Sequence, residues 1–427
     1  MGEIHSKGSD KLVDHLFRHE AGKMVSVLTR IFGPDRMEIA EDIVQDTFLK
    51  ALHEWSFNRV PENPSAWLYR VAKNGAIDIL RRNKYTEEYK SELNYLLKSE
   101  WTLTSSVDNL FVDSEIKDSQ LRMIFTCCYP ELPPESQIAL TLKTLCGFSV
   151  KEIARALITS EANINKRLFR AKQKINELNI PFRIPGENEI RKRIEIVYKV
   201  IYLLFNEGYN SSTENMVIRK DLCSEAIRLA QILAGHDAGK NPATYALISL
   251  MYLHFARLDA RVDSEGKILL LKEQDRSLWD KELIDTGLGY LEHASSPEFI
   301  SEYQIEAGIA AYHATAESFK ETNWKKILEL YDILVKMKPG SINRLNRAIA
   351  VFQVHGAKKA INELKLIDDL DNYYLYHSTF GELYFQSGLY NESVNHFETA
   401  LKLTDSKAEK SLLKNKMEKV KARMENS

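Results

Sequence analysis

Apolar residues recur at three- and four-residue spacing along almost the whole chain, while strand-like alternation and hairpin turn pairs are scarce. The pattern predicts an all-α protein. Three interruptions divide it: Gly33 to Asp35, a polar stretch from about Tyr85 to Asp118, and Ile180 to Glu189, with two prolines and a glycine. A first amphipathic helix is predicted over 40–55. Val44, Phe48, Leu52 and Trp55 form its stripe, and Asp42, Gln45, Asp46 and Lys50 lie off it. A second begins with Ser65 as its cap, just after Pro64. Leu68, Val71 and Ile79 belong to its inner side, and Arg70, Lys73, Asn74, Arg81, Arg82 and Lys84 to a basic outer side. Trp67 and Tyr69 sit among these cations. Aromatics interleaved with cations suit unstacked single-stranded bases, although core packing is the commoner use of each ring.

Between Thr141 and Lys174 the pattern takes the form of a helix-turn-helix. An apolar helix ends near Leu145, Gly147 supplies a turn, and Ser149 caps a short helix, Val150 to Leu157. Thr159 and Ser160 make a second turn and cap. The helix after them buries Ile164, Leu168, Ala171 and Ile175 and exposes Asn163, Asn165, Lys166, Arg167, Arg170, Lys172 and Lys174. A short scaffold helix before a basic one with an apolar inner stripe is the arrangement of a recognition helix for the major groove. The competing reading is a helical hairpin with a solvated basic face.

The second half carries an internal period. Trp324, Ala357 and Tyr390 are 33 residues apart, as are Ile327, Ala360 and Ser393, then Tyr331, Leu364 and Phe397, then Leu334, Ile367 and Ala400. Helix pairs whose faces are buried only by stacking give such a signal, with a tetratricopeptide period of about 34. Two good repeats and one partial one are expected, with the less regular segment from Glu189 to Glu317 extending the same superhelix. Concave surfaces of this kind bind peptides or protein segments.

Composition narrows the function classes. The 427 residues carry a formal net charge of −2, so affinity for nucleic acid must come from local patches. No apolar run reaches membrane-spanning length and the N-terminus lacks a secretion signal, so no membrane association is expected. Four cysteines, two of them adjacent, make neither a disulfide framework nor a zinc pattern. A reducing, cytoplasmic compartment follows. His15 and His19 share a helix face without a third ligand, and no phosphate-binding glycine loop occurs. Gln274 to Asp280, QDRSLWD, is polar enough to resemble a site but lacks a nucleophile and base, and reads as a capping or salt-bridge network. Neither enzyme activity, metal nor cofactor is expected.

AEDIVQDTFLKA, then NPSAWLYRVAKNGAIDILRR, then the helix-turn-helix with EIARAL and RLFRAK, in that order, resemble regions 2 and 4 of a bacterial sigma factor of the compact extracytoplasmic-function class. With CCYPELPPESQIALTLK, QDRSLWD and the repeats, the whole chain resembles the subgroup bearing a C-terminal tetratricopeptide-like extension. The resemblance implies four parts: region 2 over 1–85, an acidic linker over 86–118, region 4 over 119–181, and a helical regulatory domain over 189–427. It implies a protein that binds core RNA polymerase and promoter DNA, recognises the −35 and −10 elements and melts the latter. Asp42, Gln45 and Asp46 would contact the clamp helices of the largest polymerase subunit. Phe57, Asn58 and Arg59 would shape a pocket for a flipped base. Trp67, Arg70, Lys73, Asn74, Arg81 and Arg82 would engage and melt the −10 duplex. Glu161, Asn163, Asn165, Lys166, Arg167 and Arg170 would read the −35 element. Asp78 matches a family aspartate, and a salt bridge to Arg81 or Arg82 is an equal reading. Between Thr86 and Asp118 eight carboxylates oppose three lysines, which suits a strand mimicking RNA in the exit path and equally a soluble linker. The extension would control the sigma portion through an intramolecular contact, or dock an unidentified protein. The rival reading is an operator-binding helix-turn-helix regulator with a helical sensor domain.

Overall fold

The computed structural model describes residues 2–425 except 58, 84–99, 158, 210–218, 264–267, 297–299 and 405. Among these residues nineteen α-helices form, and the nearest thing to a strand is a single antiparallel bridge between Val262 and Ile268. The chain divides into two compact units, Met1–Leu204 and Phe205–Ser427.

Unit 1 is organised around its first helix, α1 (Gly2–Phe32). Met24, Val27, Leu28 and Ile31 lie fully buried along it. Buried Ser26 donates to the Gly22 carbonyl at 2.7 Å, so its hydroxyl is satisfied within the helix. Gly33, at φ 94°, stops α1, and the turn Pro34–Arg36 leads into α2 (Met37–Phe57). α3 spans Pro64–Asn83. Asn63, not Ser65, caps it: the Asn63 side-chain oxygen accepts from the Ala66 amide at 3.0 Å, while the Ser65 hydroxyl is turned to Glu20 at 3.3 Å. Pro64 takes the first helical position, where its missing N–H costs nothing, and this moves the cap two residues upstream.

The stretch expected as an acidic strand is helical where it is described. α4 (Glu100–Leu110) packs on α3, and α5 (Asp113–Cys127) packs along α1. Val107, Leu110, Phe111 and Ile116 are buried there, so apolar spacing within the acidic composition decides the structure. The residues 84–99 of that stretch lie outside the described residues. α6 (Pro134–Thr144), α7 (Val150–Ala156) and α8 (Glu161–Glu177) form the helix-turn-helix. α9 (Glu187–Tyr209) follows and crosses the divide between the units, downstream of the expected boundary at 189. Arg193 on α9 donates to the Phe125 carbonyl and lies over the Tyr129 ring at 4.7 Å. A cut at 185 would therefore strip unit 1 of a buried contact.

Unit 2 starts with α10 (Lys220–Ala234), α11 (Pro242–Phe255), α12 (Lys281–His293) and α13 (Glu302–Thr315). α11 is apolar all round and packs against the other three. Between α11 and α12 runs a loop of short 3₁₀ turns. Its QDRSLWD segment is a capping network: Arg276 donates to the carbonyls of His313 at 2.6 Å and Ala316 at 2.5 Å, closing the end of α13. Asp280 caps α12, and buried Trp279 lies under Arg276 at 4.7 Å. Three helix pairs follow: α14 (Trp324–Met337) with α15 (Ser341–His355), α16 (Ala357–Leu364) with α17 (Tyr374–Gln386), and α18 (Tyr390–Lys402) with α19 (Lys407–Glu425). First helices begin at 324, 357 and 390 and second helices at 341, 374 and 407, a period of 33 in both. Three pairs replace the two and a fraction expected, and Ile327, Ala360 and Ser393 are each fully buried.

Glu207, near the C-terminal end of α9, has its carboxyl pushed up to about 7 by burial, only partly offset by Arg219. The folded state therefore holds a proton that the unfolded state releases above its ordinary value near 4.5. This group takes stability away as pH rises from there to about 7. Glu207→Gln is expected to raise the melting temperature of the chain at pH 8 and to leave it unchanged near pH 4. Parallel thermal melts across that range check the prediction.

Candidate nucleic-acid interface

The helix-turn-helix is built as its polar residues require. Gly147, at φ 65°, turns the chain after α6. Ser149 and Glu152 form a reciprocal cap on α7: the Ser149 hydroxyl accepts from the Glu152 amide at 3.2 Å, and the Glu152 carboxylate accepts from the Ser149 amide at 2.9 Å. Ser160 caps α8 by accepting from the Asn163 amide at 3.2 Å. Replacing such a cap by alanine costs about 1 kcal/mol. Ile164, Leu168, Ala171 and Ile175 are the buried stripe of α8.

Glu161, Asn163, Asn165, Lys166 and Arg170 are exposed on the opposite face of α8. Arg167 is half-buried and paired with Glu135 of α6. The Asn163 amide donates to Thr159 at 3.2 Å. Phe169, which the sequence reading passed over, is 67% exposed amid this basic face. Its signal was available, since it falls outside the stripe. An exposed ring beside arginine and asparagine suits the thymine methyl.

In the first half of unit 1 the candidates divide into two surfaces. Asp42, Gln45 and Asp46 are exposed on α2, and Leu49 beside them is 54% exposed. Arg59, Arg70, Asn74, Arg81 and Arg82 are exposed on or just before α3. Lys73 pairs with Asp108 of α4 at 2.6 Å. Arg82 donates to the Asp78 carbonyl oxygen at 3.3 Å, a backbone contact. Trp67 is half-buried with its ring 5.3 Å from that of Trp55. Tyr69 is committed to the core: its hydroxyl donates to Glu20, and its ring lies 5.8 Å from Phe111. Asn58 and the side chain of Phe57 lie outside the described residues.

The two halves of unit 1 are locked together. A Cβ on Gly22 of α1 would meet the Leu145 carbonyl oxygen at 2.0 Å, and one on Gly147 would meet that of Phe17 at 3.2 Å. Only glycine lets α1 and the end of α6 approach so closely. Arg18 of α1 is paired with Glu152 of α7. Burial pushes the Glu152 carboxyl up, but the Ser149 and Arg18 hydrogen bonds outweigh it and hold the group below its ordinary value. Lys172 of α8 bridges Glu41 at 2.8 Å and Glu38 at 3.7 Å, both on α2. Asp42 and Gln45 line a groove of about 640 Å³ together with Lys143, Gly147 and Ser149. Asp46 lies on another hollow, with Leu49, Lys50 and His53.

Among the described residues no group of three or more histidine, cysteine or acidic side chains is placed to hold a metal ion. All four cysteines are free and buried, and burial pushes the Cys127 thiol up to about 12. No described helix is long and apolar enough to cross a membrane.

The chain matches Sigma-70 region 2 over residues 16–86, Sigma-70 region 4 over 122–175, and a family of unknown function over 193–295. An uncharacterised protein of Rhizobium meliloti is 35% identical over 376 residues, 87% of this chain and 88% of that one. The ECF RNA polymerase sigma factor SigM of Bacillus subtilis is 31% identical over 144 residues, 33% of this chain and 79% of that one. The ECF RNA polymerase sigma-E factor of Haemophilus influenzae is 28% identical over 174 residues, 40% of this chain and 88% of that one. No solved structure matches. With both sigma regions matched in order on the two halves of unit 1, this chain belongs to the family of extracytoplasmic-function (ECF) RNA polymerase sigma factors.

Proposed function

We propose that unit 1 directs promoter-specific initiation, with α8 reading the −35 element, α3 capturing the unstacked −10 strand, and α2 docking on the polymerase clamp helices. One observation carries this reading: an exposed row of amide and cationic side chains on a recognition helix capped by Ser160, in the same unit as an exposed acidic and apolar face on α2. An operator-binding regulator has no use for that second face. Melting needs no hydrolysis here, because capture of unstacked bases offsets an opening cost of a few kcal/mol per base.

Division of labour between the helices gives the test. Arg167→Ala and Arg170→Ala are expected to weaken −35 binding by about 1–3 kcal/mol each, wherever the arginine makes a bidentate base contact. Asn74→Ala is expected to leave that binding intact and to lower permanganate reactivity of the −10 thymines. Trp67→Ala serves the same assay; normal melting at saturating binding would reduce its ring to a partner for Trp55.

The locked arrangement of unit 1 is proposed to be a resting state. Elements named −35 and −10 lie about 25 base pairs apart, on the order of 85 Å of duplex at about 3.4 Å per pair. A compact unit of this size is only about 45 Å across. Its two halves must part before both elements are held.

Unit 2 is proposed to act on unit 1 in cis, as a built-in regulator. Tethering makes even a weak contact effective, since local concentration reaches roughly millimolar. A fragment ending after Tyr209 keeps Arg193 on its partners, which a cut at 185 would remove. It is expected to bind core polymerase and to transcribe at a different level from the full chain. Identical output under every condition that switches the full chain removes regulation in cis and leaves the repeats as a docking site for another protein.

A further inference from the structure

Unit 2 holds a partly open cavity of about 650 Å³, within the size range of small-molecule sites. The loop between α11 and α12 leans over it with Leu270 and Leu271, α15 supplies Phe352, α19 supplies Leu412, and Tyr373 stands at the start of α17. These walls are apolar and aromatic. Three cations also line the cavity, Arg261, Lys272 and Lys416, against two carboxylates, Glu382 and Glu409. Both carboxylates are already engaged. Glu382 sits between Lys272 at 3.3 Å and Lys416 at 3.4 Å, and Glu409 accepts from the hydroxyls of Tyr374 and Thr404. The lining thus holds one positive charge in excess. Each lysine ammonium has three donors, so one bond to Glu382 leaves capacity on Lys272. Ser378 and Gln353 line the cavity as well, and neither side chain is hydrogen-bonded to any described residue.

We propose that this cavity is a binding site for a small organic anion with an apolar body. The body lies against the leucines of the loop and the rings of α15 and the α17 end, which loses water from both surfaces. The anionic group meets Lys272 and the excess positive charge, and Ser378 and Gln353 offer hydrogen bonds to polar atoms of the same ligand. The Lys272–Glu382 pair also ties the loop to α17, so the ligand and the closure of the loop share one residue.

The full chain is titrated below its melting transition with 1-anilinonaphthalene-8-sulfonate and with N-phenyl-1-naphthylamine, the same ring system without the sulfonate. The sulfonate is expected to saturate at one per chain, at least about tenfold tighter than the neutral probe, a difference near 1.4 kcal/mol. Octanoate displaces it and inorganic phosphate does not. Lys272→Glu, at an exposed position, takes the lining from one charge positive to one charge negative and abolishes the preference for the sulfonate. Ser378→Trp fills the cavity and abolishes binding of both probes. Equal affinity for the two probes overturns the proposal, as does a preference that survives Lys272→Glu, or unaltered binding by a folded Ser378→Trp. If Ser378→Trp does not fold, the Lys272→Glu comparison decides. Neither polymerase nor DNA is present, so the outcome is independent of the initiation reading.

Discussion

Charge reversal at Asp42 and Asp46 combined with Gln45→Ala is expected to weaken binding to core RNA polymerase by about thirtyfold or more, while the fold survives. All three side chains are exposed on α2, and the buried stripe behind them, Val44, Phe48, Ala51 and Trp55, is untouched. Exposed substitutions of this kind shift stability by no more than about 0.5 kcal/mol. Removing charges that a partner buries and pairs costs about 2 kcal/mol or more, which sets the expected factor. Asp42 and Gln45 also face the groove shared with Lys143, so their replacement alone could act by loosening unit 1. Asp46 lines a different hollow with Lys50 and His53, whereas Leu49 reaches both. Asp46→Lys should therefore weaken polymerase binding without altering the lock. Surface plasmon resonance with purified core enzyme measures both variants. An unchanged affinity in the triple variant removes α2 as the docking helix.

The second large effect concerns the lock itself. Cysteines placed at Glu41 and Lys172, whose charged ends now lie 2.8 Å apart, can be joined by a short bismaleimide. The four native cysteines are buried, so the reagent is directed to the new pair. The joined protein is expected to lose affinity for a promoter carrying both elements by about tenfold or more, because binding then selects a state that the link forbids. The same variant capped with a monofunctional maleimide should bind at least as well as the parent, since one bridge of the lock is gone. Electrophoretic mobility shift with core enzyme reads both. Undiminished promoter binding by the joined protein would mean that the closed arrangement does not obstruct initiation.

Local rules were readable in the sequence where they act between near neighbours. The caps Ser149 and Ser160, the turn at Gly147 and the stripe of α8 all depend on spacings of three or four residues, and each stands as read. The 33-residue period was legible for the same reason one level up, because stacked helix pairs repeat the same local burial problem. What failed was decided by competition or by distance. Ser65 lost the cap of α3 because Pro64 fits the first turn and Asn63 is then correctly placed. The acidic stretch before α5 carried both a charge pattern and an apolar one, and burial of Val107, Leu110 and Phe111 prevailed. The lock between α1 and α6 rests on Gly22 meeting Leu145, 123 residues away in sequence, and on Arg18 meeting Glu152. No short-range pattern announces such pairs. The cavity of unit 2 is similarly assembled from a loop and three helices that the sequence keeps far apart.

The equal 33-residue step of both helices in each pair has a consequence for how this unit can change over generations. Each pair contacts its neighbours and little else, so the packing problem is the same at every junction. A coding insertion or deletion of whole repeats, 33 codons each, keeps every buried position in phase, whereas any other length rotates the downstream helices and turns Phe397 or Leu364 toward water. Lengthening the array is thus a single heritable step rather than a search. Lineages of this fold should differ in repeat number by integers, while the loop that leans over the cavity, outside the repeating register, stays free to vary residue by residue.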